Sequence, residues 1–196
     1  MRFAYVVLAA GSSRRMGRDK LTSPLSGRSP LERLAALLNG RAVVIVTTAS
    51  RLETCQQLMP NAIVLVNERP QDGMTSSLRV SLEAVADHEC IGVLLGDKPL
   101  LARATLDRLE SLVSRSPLDV VYPQSETGVP GHPVYLSRRA RAHVAELPSG
   151  DTLRELRGHA VLTSTAIPCD DAGAFLDIDT QDDWLRAERF ARTFGR

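Results

Sequence analysis

Apolar positions along the chain fall into two alternating rhythms. Phe3 to Ala9 is an unbroken apolar run bounded by Gly11, the signature of a strand covered on both faces. Leu31, Leu34, Leu37 and Leu38 recur at helical spacing and stop at Gly40. Ala42 to Val46 and Ala62 to Val66 read as two further buried strands, with a short helix over Leu52 to Met59 between them that ends before Pro60. Thr75 or Ser76 is a cap for a helix with Leu78, Leu82 and Val85 on one face. Ile91 to Leu95 is a fourth strand closed by Gly96-Asp97, Leu106, Leu109 and Val113 mark the next helix, and Asp119 to Tyr122 is another short strand.

Strand and helix alternate up to this point, which predicts right-handed crossovers and a mainly parallel sheet. Pro123 to Pro133, rich in Gly, Pro and Ser, reads as linker, and beyond it the rhythm changes. Val134 to Leu136 is short and apolar, helices follow over Ser137 to Leu147 and Thr152 to Leu156, and Val161 to Ile167 reads as an edge strand. Thr180 caps a last helix with Asp182 and Asp183 in its first turn and Trp184, Ala187 and Ala191 along one side.

Composition sharpens this without redirecting it. The chain has 196 residues, enough for one domain with a substantial core, and only 4% aromatics, so the core is built from Leu, Val and Ala. Lys and Arg number 24 against 23 Asp and Glu, and a net charge of +1 argues against a nucleic-acid partner. Cys55, Cys90 and Cys169 are odd in number and widely spaced, which makes them thiols of a reducing, cytoplasmic compartment rather than a disulfide framework. Arg2 and the run to Ala10 have the outline of a short export signal, but Arg14 and Arg15 follow at once, so a first strand is the better reading. No run approaches membrane-spanning length.

The chemistry gathers where the first strand ends. Gly11, Ser12 and Ser13 leave backbone N–H groups free to turn toward a ligand, and ligands of open α/β sheets bind at the carboxyl ends of strands. Arg14, Arg15, Arg18 and Lys20 supply the cations a triphosphate requires. The stretch is neither a Walker A loop nor a GxGxxG fingerprint. Asp97, at the end of an apolar strand, needs a cationic partner or a metal; it is alternatively a helix cap. Asp177 and Asp179 flank Ile178, and extended alternation puts both on one face, Asp179 as the second carboxylate for a metal and Asp177 in support. Ser76, Ser77 and Arg79 lie near a helix N-terminus.

Leu8-Ala9-Ala10-Gly11-Ser12-Ser13-Arg14-Arg15-Met16-Gly17 followed by Lys20 resembles the LAAGxSxRMGxxK signature of nucleotidyltransferases, in particular the molybdenum cofactor cytidylyltransferases and the related molybdopterin guanylyltransferases. Gly73 to Arg79, Gly96-Asp97-Lys98-Pro99, Gly131-His132-Pro133-Val134 and Asp177-Ile178-Asp179-Thr180 resemble further motifs of the same family. The resemblance implies an α/β, three-layer Rossmann-like fold, with a mainly parallel sheet, helices on both faces and a small β-rich insertion, spanning 1–196 as a single nucleotidyltransferase domain. It implies transfer of a nucleotidyl group from a nucleoside triphosphate to molybdopterin with Mg²⁺ and release of pyrophosphate, and a molybdoenzyme or its chaperone as partner. Within the family LAAG accompanies cytidine and LAGG guanosine, so Ala10 points to CTP.

The resemblance assigns Arg15, Lys20 and Asp97 to catalysis. It assigns Leu8, Ala9, Ala10, Gly11, Ser12, Arg15, Lys20, Asn67 and Gly73 to the nucleotide, and Ser76, Ser77, Arg79, Gly131 and His132 to the acceptor. Asp97, Asp179 and Asp177 are the metal ligands, and Lys98 stands where the family often has Met or Gln. Two alternatives stay open: a transferase using GTP or another phosphorylated acceptor, and a non-catalytic protein that binds and delivers the cofactor.

Overall fold

A computed structural model describes residues 1–11, 16–115, 118–148, 150 and 152–195. Seven strands form one sheet: β1 (Phe3–Leu8), β2 (Val43–Thr47), β3 (Ile63–Val66), β4 (Cys90–Leu95), β5 (Val120–Gln124), β6 (Val134–Ser137) and β7 (Ser164–Pro168). Their order is β3-β2-β1-β4-β6-β5-β7. β1 pairs in parallel with β2 and β4, β2 with β3, and β5 with β7, while β6 runs antiparallel to both β4 and β5. The stretch that reads as linker is thus the end of β5 and a turn, closed by bonds from Gly128 N to Ser125 O and from Ser125 N to Val129 O, that returns the chain into the sheet.

Side-chain alternation on the strands fills both faces. Tyr5 and Val7 of β1 and Ile45 of β2 join Leu31, Leu34 and Leu38 of α1 (Pro30–Leu38) and Leu106, Leu109 and Val113 of α4 (Arg103–Ser114). Cys55 of α2 (Leu52–Leu58) lies in the same cluster. Ala4, Val6 and Leu8 face the other way, against Leu78 of α3 (Met74–Ser81), Ala140 and Val144 of α5 (Arg138–Val144), and Leu153 and Leu156 of α6 (Leu153–Arg157). Three layers result because period-2 strands expose apolar residues on both sides and each side takes a helix layer. The last helix, α7 (Gln181–Phe194), buries Trp184, Ala187 and Ala191 in a smaller cluster with Leu25, Leu100 and Ile178.

Caps fall where the sequence places them for α7, where Thr180 and Asp183 form a reciprocal capping box, and for α6, where Thr152 and Glu155 do the same. α3 differs. Gly73 occupies its N-cap with φ +91° and no side-chain cap bond, and Thr75 and Ser76 lie inside the helix. The left-handed backbone at Gly73 decides the cap, because a Cβ is disfavoured there. Residues 176 to 179 form no strand, yet the alternation holds: Ile178 is buried while Asp177 is exposed and Asp179 half-buried.

Two polar features sit inside the sheet. In register, Gly92 of β4 lies between Tyr5 of β1 and Tyr135 of β6, whose rings would stand 2.6 and 3.1 Å from a Cβ at residue 92. The two tyrosine oxygens are 3.1 Å apart and the Tyr5 hydroxyl donates to Glu110 at 2.6 Å. Just before β6, His132 Nδ1 lies 3.0 Å from the carbonyl of Val93, so that nitrogen carries the proton. Burial, the largest influence, pushes the imidazole down to about 4, which leaves it neutral. The three cysteines are buried free thiols, and among the described residues no helix is long and apolar enough to cross a membrane.

Gly92→Ala is expected to overpack the tyrosine pair and cost about 1–3 kcal/mol, read as a lowered midpoint of thermal unfolding. His132 gives a pH signature. An unfolded histidine takes up a proton near pH 6.5, and the folded one near 4, so the unfolded state binds more protons between those values and stability falls as pH drops across that window. The loss attributable to this group is on the order of 3 kcal/mol. Denaturant titrations at pH 7 and pH 4.5 are expected to show a smaller loss in His132→Gln than in the parent protein.

Candidate active site

The carboxyl ends of β1 and β4 are adjacent, and both chains leave the sheet there. Gly96 N donates to the carbonyl of Leu8 at 2.9 Å, which locks the two exits together. Arg51, buried behind the loop, donates to the carbonyls of Ala9 (2.8 Å) and Gly11 (3.1 Å) and to Asp19 Oδ2 (2.6 Å). Burial works against the Asp19 carboxylate, but the bond and charge of Arg51 outweigh it and hold its pKa below the usual range. Arg51 thus clamps both sides of the 12–15 segment. Nothing in its own neighbourhood of the sequence announces this, because its partners lie 32 to 42 residues away.

Lys20 is the centre of the site. Its ammonium donates to Asp97 Oδ2 at 2.9 Å, to Asp179 Oδ1 at 2.9 Å and to the carbonyl of Ile178 at 2.8 Å. Three segments distant in sequence therefore meet at one nitrogen. The lysine is only 7% exposed. Burial opposes its charge, yet Asp97 and Asp179 more than compensate, so its pKa is raised and it stays protonated. Asp97 and Asp179 come together as the sequence indicates.

Asp177 does not join them. Its Oδ1 lies 2.6 Å from the buried ammonium of Lys98, which also donates to the carbonyl of Phe175 at 3.1 Å. The expectation that Asp177 supports Asp179 is corrected: the two carboxylates, two residues apart, serve two different lysines.

Two neighbouring cavities lie here, and Asp97 of this centre lines the first. One, of about 270 Å³, is lined by Leu8, Ala10, Gly11, Pro70, Gly73, Met74, Ser77, Leu95 and Asp97. It contains Leu8, Ala10, Gly11 and Gly73 of the expected nucleotide set. The second, of about 390 Å³, shares Met74 and Leu95 with the first and adds Lys98, Gly131, His132, Arg154, Arg157 and Asp177. Gly131 and His132, expected on the acceptor side, both line this second cavity. Ala9 is buried beside the first cavity with its carbonyl taken by Arg51.

Other expected contacts are placed differently. Ser77 lines the first cavity rather than the second. Asn67 is a scaffold: its amide donates to Ser76 Oγ (2.8 Å) and Ser77 Oγ (2.9 Å), and its carbonyl oxygen accepts from Arg69 N (2.9 Å). Arg79 is turned away, with its guanidinium on the carbonyls of Val144 and Leu147 at the end of α5. Its charge meets a helix C-terminus instead of an anion. Arg18 lies over the Trp184 ring at 4.2 Å. Ser12 and Arg15, with Ser13 and Arg14, fall outside the described residues.

The carboxylates suit a divalent cation. Asp97 Oδ1 is buried with no hydrogen-bond partner, an acceptor without a donor. Asp97 Oδ2 and Asp179 Oδ1 converge on the same point. Among the described residues no three His, Cys, Asp or Glu side chains build a complete metal site. A hard divalent ion such as Mg²⁺ usually takes one or two carboxylates and completes its shell with phosphate oxygens and water.

Comparison with known proteins agrees with this geometry. The family model of the MobA-like NTP transferase domain matches residues 5–164. The chain is 26% identical to the molybdenum cofactor cytidylyltransferase of Escherichia coli over 93% of this chain and 94% of that protein. It is 30% identical to the probable molybdenum cofactor guanylyltransferase of Mycobacterium avium over 74% and 73%, and 30% identical to the purine catabolism protein PucB of Bacillus subtilis over 96% and 98%. A crystal structure of Rv0371c from Mycobacterium tuberculosis in complex with manganese superposes with a TM-score of 0.75 at 25% identity, covering 96% of this chain and 99% of that one. With the Lys20 centre and the two cavities at the end of a three-layer sheet, these matches lead to one conclusion: the chain belongs to the MobA-like NTP transferase family and is a nucleotidyltransferase.

Proposed function

We propose that the enzyme transfers CMP from CTP to molybdopterin and releases pyrophosphate, with Mg²⁺ held by Asp97 and Asp179. The observation that carries this reading is the convergence of Asp97 Oδ2 and Asp179 Oδ1 on Lys20 Nζ, 2.9 Å from each, at the mouth of the Leu8–Gly11 loop. Molybdopterin as acceptor is supported by the curated relatives named for molybdenum cofactor nucleotidyl transfer. CTP is supported by Ala10, whose methyl group lines the smaller cavity and leaves less room for a base than glycine would.

In this reading the acceptor's phosphate oxygen attacks the α-phosphorus of CTP. The bond from that phosphorus to the bridging α–β oxygen breaks, and the electron pair leaves with pyrophosphate. Such transfers depend on positioning and on charges aimed at the phosphates. Lys20, charged and fixed with its three N–H groups on Asp97, Asp179 and Ile178, contributes its positive charge to the field around the triphosphate. Arg15 is assigned to the same task and to the leaving pyrophosphate. Arg51 and the Leu8–Gly96 bond hold the loop whose backbone borders base and ribose. A divalent cation, when bound, neutralises phosphate charge next to Asp97 and Asp179.

The protein acts as one domain over 1–196, and buried free thiols support a reducing, cytoplasmic setting. The recipient of the finished cofactor is a molybdoenzyme or its chaperone. A second reading, the same chemistry on a different acceptor, is favoured by the similarity to PucB along the whole chain.

Incubation with Mg²⁺, labelled CTP or GTP, and molybdopterin is expected to give a labelled dinucleotide and pyrophosphate, with CTP preferred. No pyrophosphate from either nucleotide overturns the assignment, and turnover only with another acceptor selects the second reading. Asp97→Asn is expected to lower kcat by about 100-fold or more without unfolding the protein. Ala10→Gly is expected to shift the ratio of kcat/KM for CTP over GTP toward GTP. Lys20→Ala is expected to lose both activity and stability, because two carboxylates are left side by side without their cation.

A further inference from the structure

The two cavities are lined by different charged groups. Asp97 lines the first and, together with Asp179, is bonded to Lys20. Among the described residues the second is lined by three cations, Lys98, Arg154 and Arg157, and one carboxylate, Asp177. His132 adds no charge at neutral pH, because burial holds its imidazole at about 4. The excess of positive charge in the second cavity therefore lies beside a carboxylate-bearing centre that itself seeks cations.

Each of the three cations is presented by a different kind of support. Lys98 is buried at 5% exposure and fixed by Asp177 and the Phe175 carbonyl. Arg157, in the last turn of α6, lies over the Tyr122 ring at 4.8 Å, and burial pushes its pKa down, a sign that it carries charge in a poorly hydrated place. Arg154, one turn earlier on the same helix, is exposed at the rim. Residues three apart share a helix face, so α6 directs both guanidinium groups into one cavity. Glu155, between them, is drawn back to Thr152 by the capping box and offsets only part of their charge. The helix is set against the sheet by Leu153 and Leu156, so the arginines are carried on a packed element.

We propose that Lys98, Arg154 and Arg157 form the subsite that grips the phosphate monoester of the acceptor and aims it at the nucleotide bound in the neighbouring cavity. The proposal rests on the transferase reading above and deepens it. Planar guanidinium groups match phosphate oxygens in pairs, and a buried lysine adds a point charge behind them. Met74 and Leu95, common to both cavities, are the low-polarity wall across which acceptor and nucleotide meet. His132 is a poor base at pH 7 and is tied to Val93 through Nδ1. An acceptor oxygen that is already anionic needs no base, which fits a phosphate and not a neutral alcohol. It also gives Lys98 a use: the cation that departs from the family pattern faces the acceptor side, paired with Asp177.

The test uses the full chain and two readouts. Phenyl phosphate, a simple monoester, is titrated into the nucleotide-free protein and followed by protein NMR, and CTP binding is followed by calorimetry. Arg154→Ala and the Arg154→Ala/Arg157→Ala pair are expected to weaken phenyl phosphate binding about tenfold or more, leaving the CTP dissociation constant within twofold. With molybdopterin as acceptor, the same variants are expected to raise its KM tenfold or more and to leave the KM for CTP unchanged. Arg154→Lys is expected to recover part of the loss. Arg154 lies at the rim, so its truncation separates binding from folding, and thermal unfolding checks the double variant, which loses the contact with Tyr122.

Loss of phenyl phosphate binding in the variants, in a protein that does not cytidylylate molybdopterin, supports the phosphate subsite and rejects only the acceptor's identity. Turnover of molybdopterin with an unchanged KM in both variants overturns the subsite and keeps the transferase reading. Phenyl phosphate shifts confined to residues 8–11 and 97, and equal in parent and variants, also overturn it.

Discussion

One buried ammonium holds this site together. Lys20 reaches Asp97 across 77 residues and Asp179 across 159, and it fills its remaining direction with the Ile178 carbonyl. Each interaction offsets part of the cost of removing a charge from water, and none of them would do so alone. The exits of β1 and β4 and the approach to α7 are thereby pinned to one point. The two carboxylates that neutralise Lys20 also offer oxygens to a divalent cation, and Asp97 Oδ1 has no donor of its own.

The sheet explains how such distant groups come so close. Parallel β1 and β4 end at the same edge, so the loops that follow them are neighbours by construction. β6 enters antiparallel between β4 and β5, and this reversal brings residues 130–133 to that same edge from the opposite direction. Nucleotide-side and acceptor-side residues then meet along β4, whose Leu95 borders both cavities.

Much of this was legible in the chain. Strand runs such as Phe3–Ala9 and the helical spacing of Leu106, Leu109 and Val113 appear in the fold within a residue or two, because buried strands and amphipathic helices have different periods. Asp97 could be named because it ends an apolar strand, where a charge needs a reason, and Lys20 and Asp179 through the motifs that carry the family resemblance. What escaped notice depends on partners remote in sequence. Arg51 looks like any exposed arginine until the carbonyls of Ala9 and Gly11 are placed over it, and Arg79 looks like an anion ligand until the end of α5 absorbs it. Asp177 was misassigned because alternation gives the face of a side chain and not the cation that waits there. Arg154 and Arg157 carry no motif; only the placement of α6 brings them to a cavity.

The irregular segment from Phe175 to Asp179 has a consequence of its own. Within five residues it presents a carbonyl and a carboxylate to Lys98, then a carbonyl and a carboxylate to Lys20, with Ile178 anchored in the core. It is a tether with two pairs of hooks and no sheet bonds to stiffen it. Evolution toward a new acceptor cannot redraw the pocket wall at Asp177 and leave the chemistry untouched, because the next hook along is the one that the reaction centre hangs on. Diversification in enzymes built this way should therefore favour the turn before β6 and the face of α6, where the wall can change without pulling on the tether.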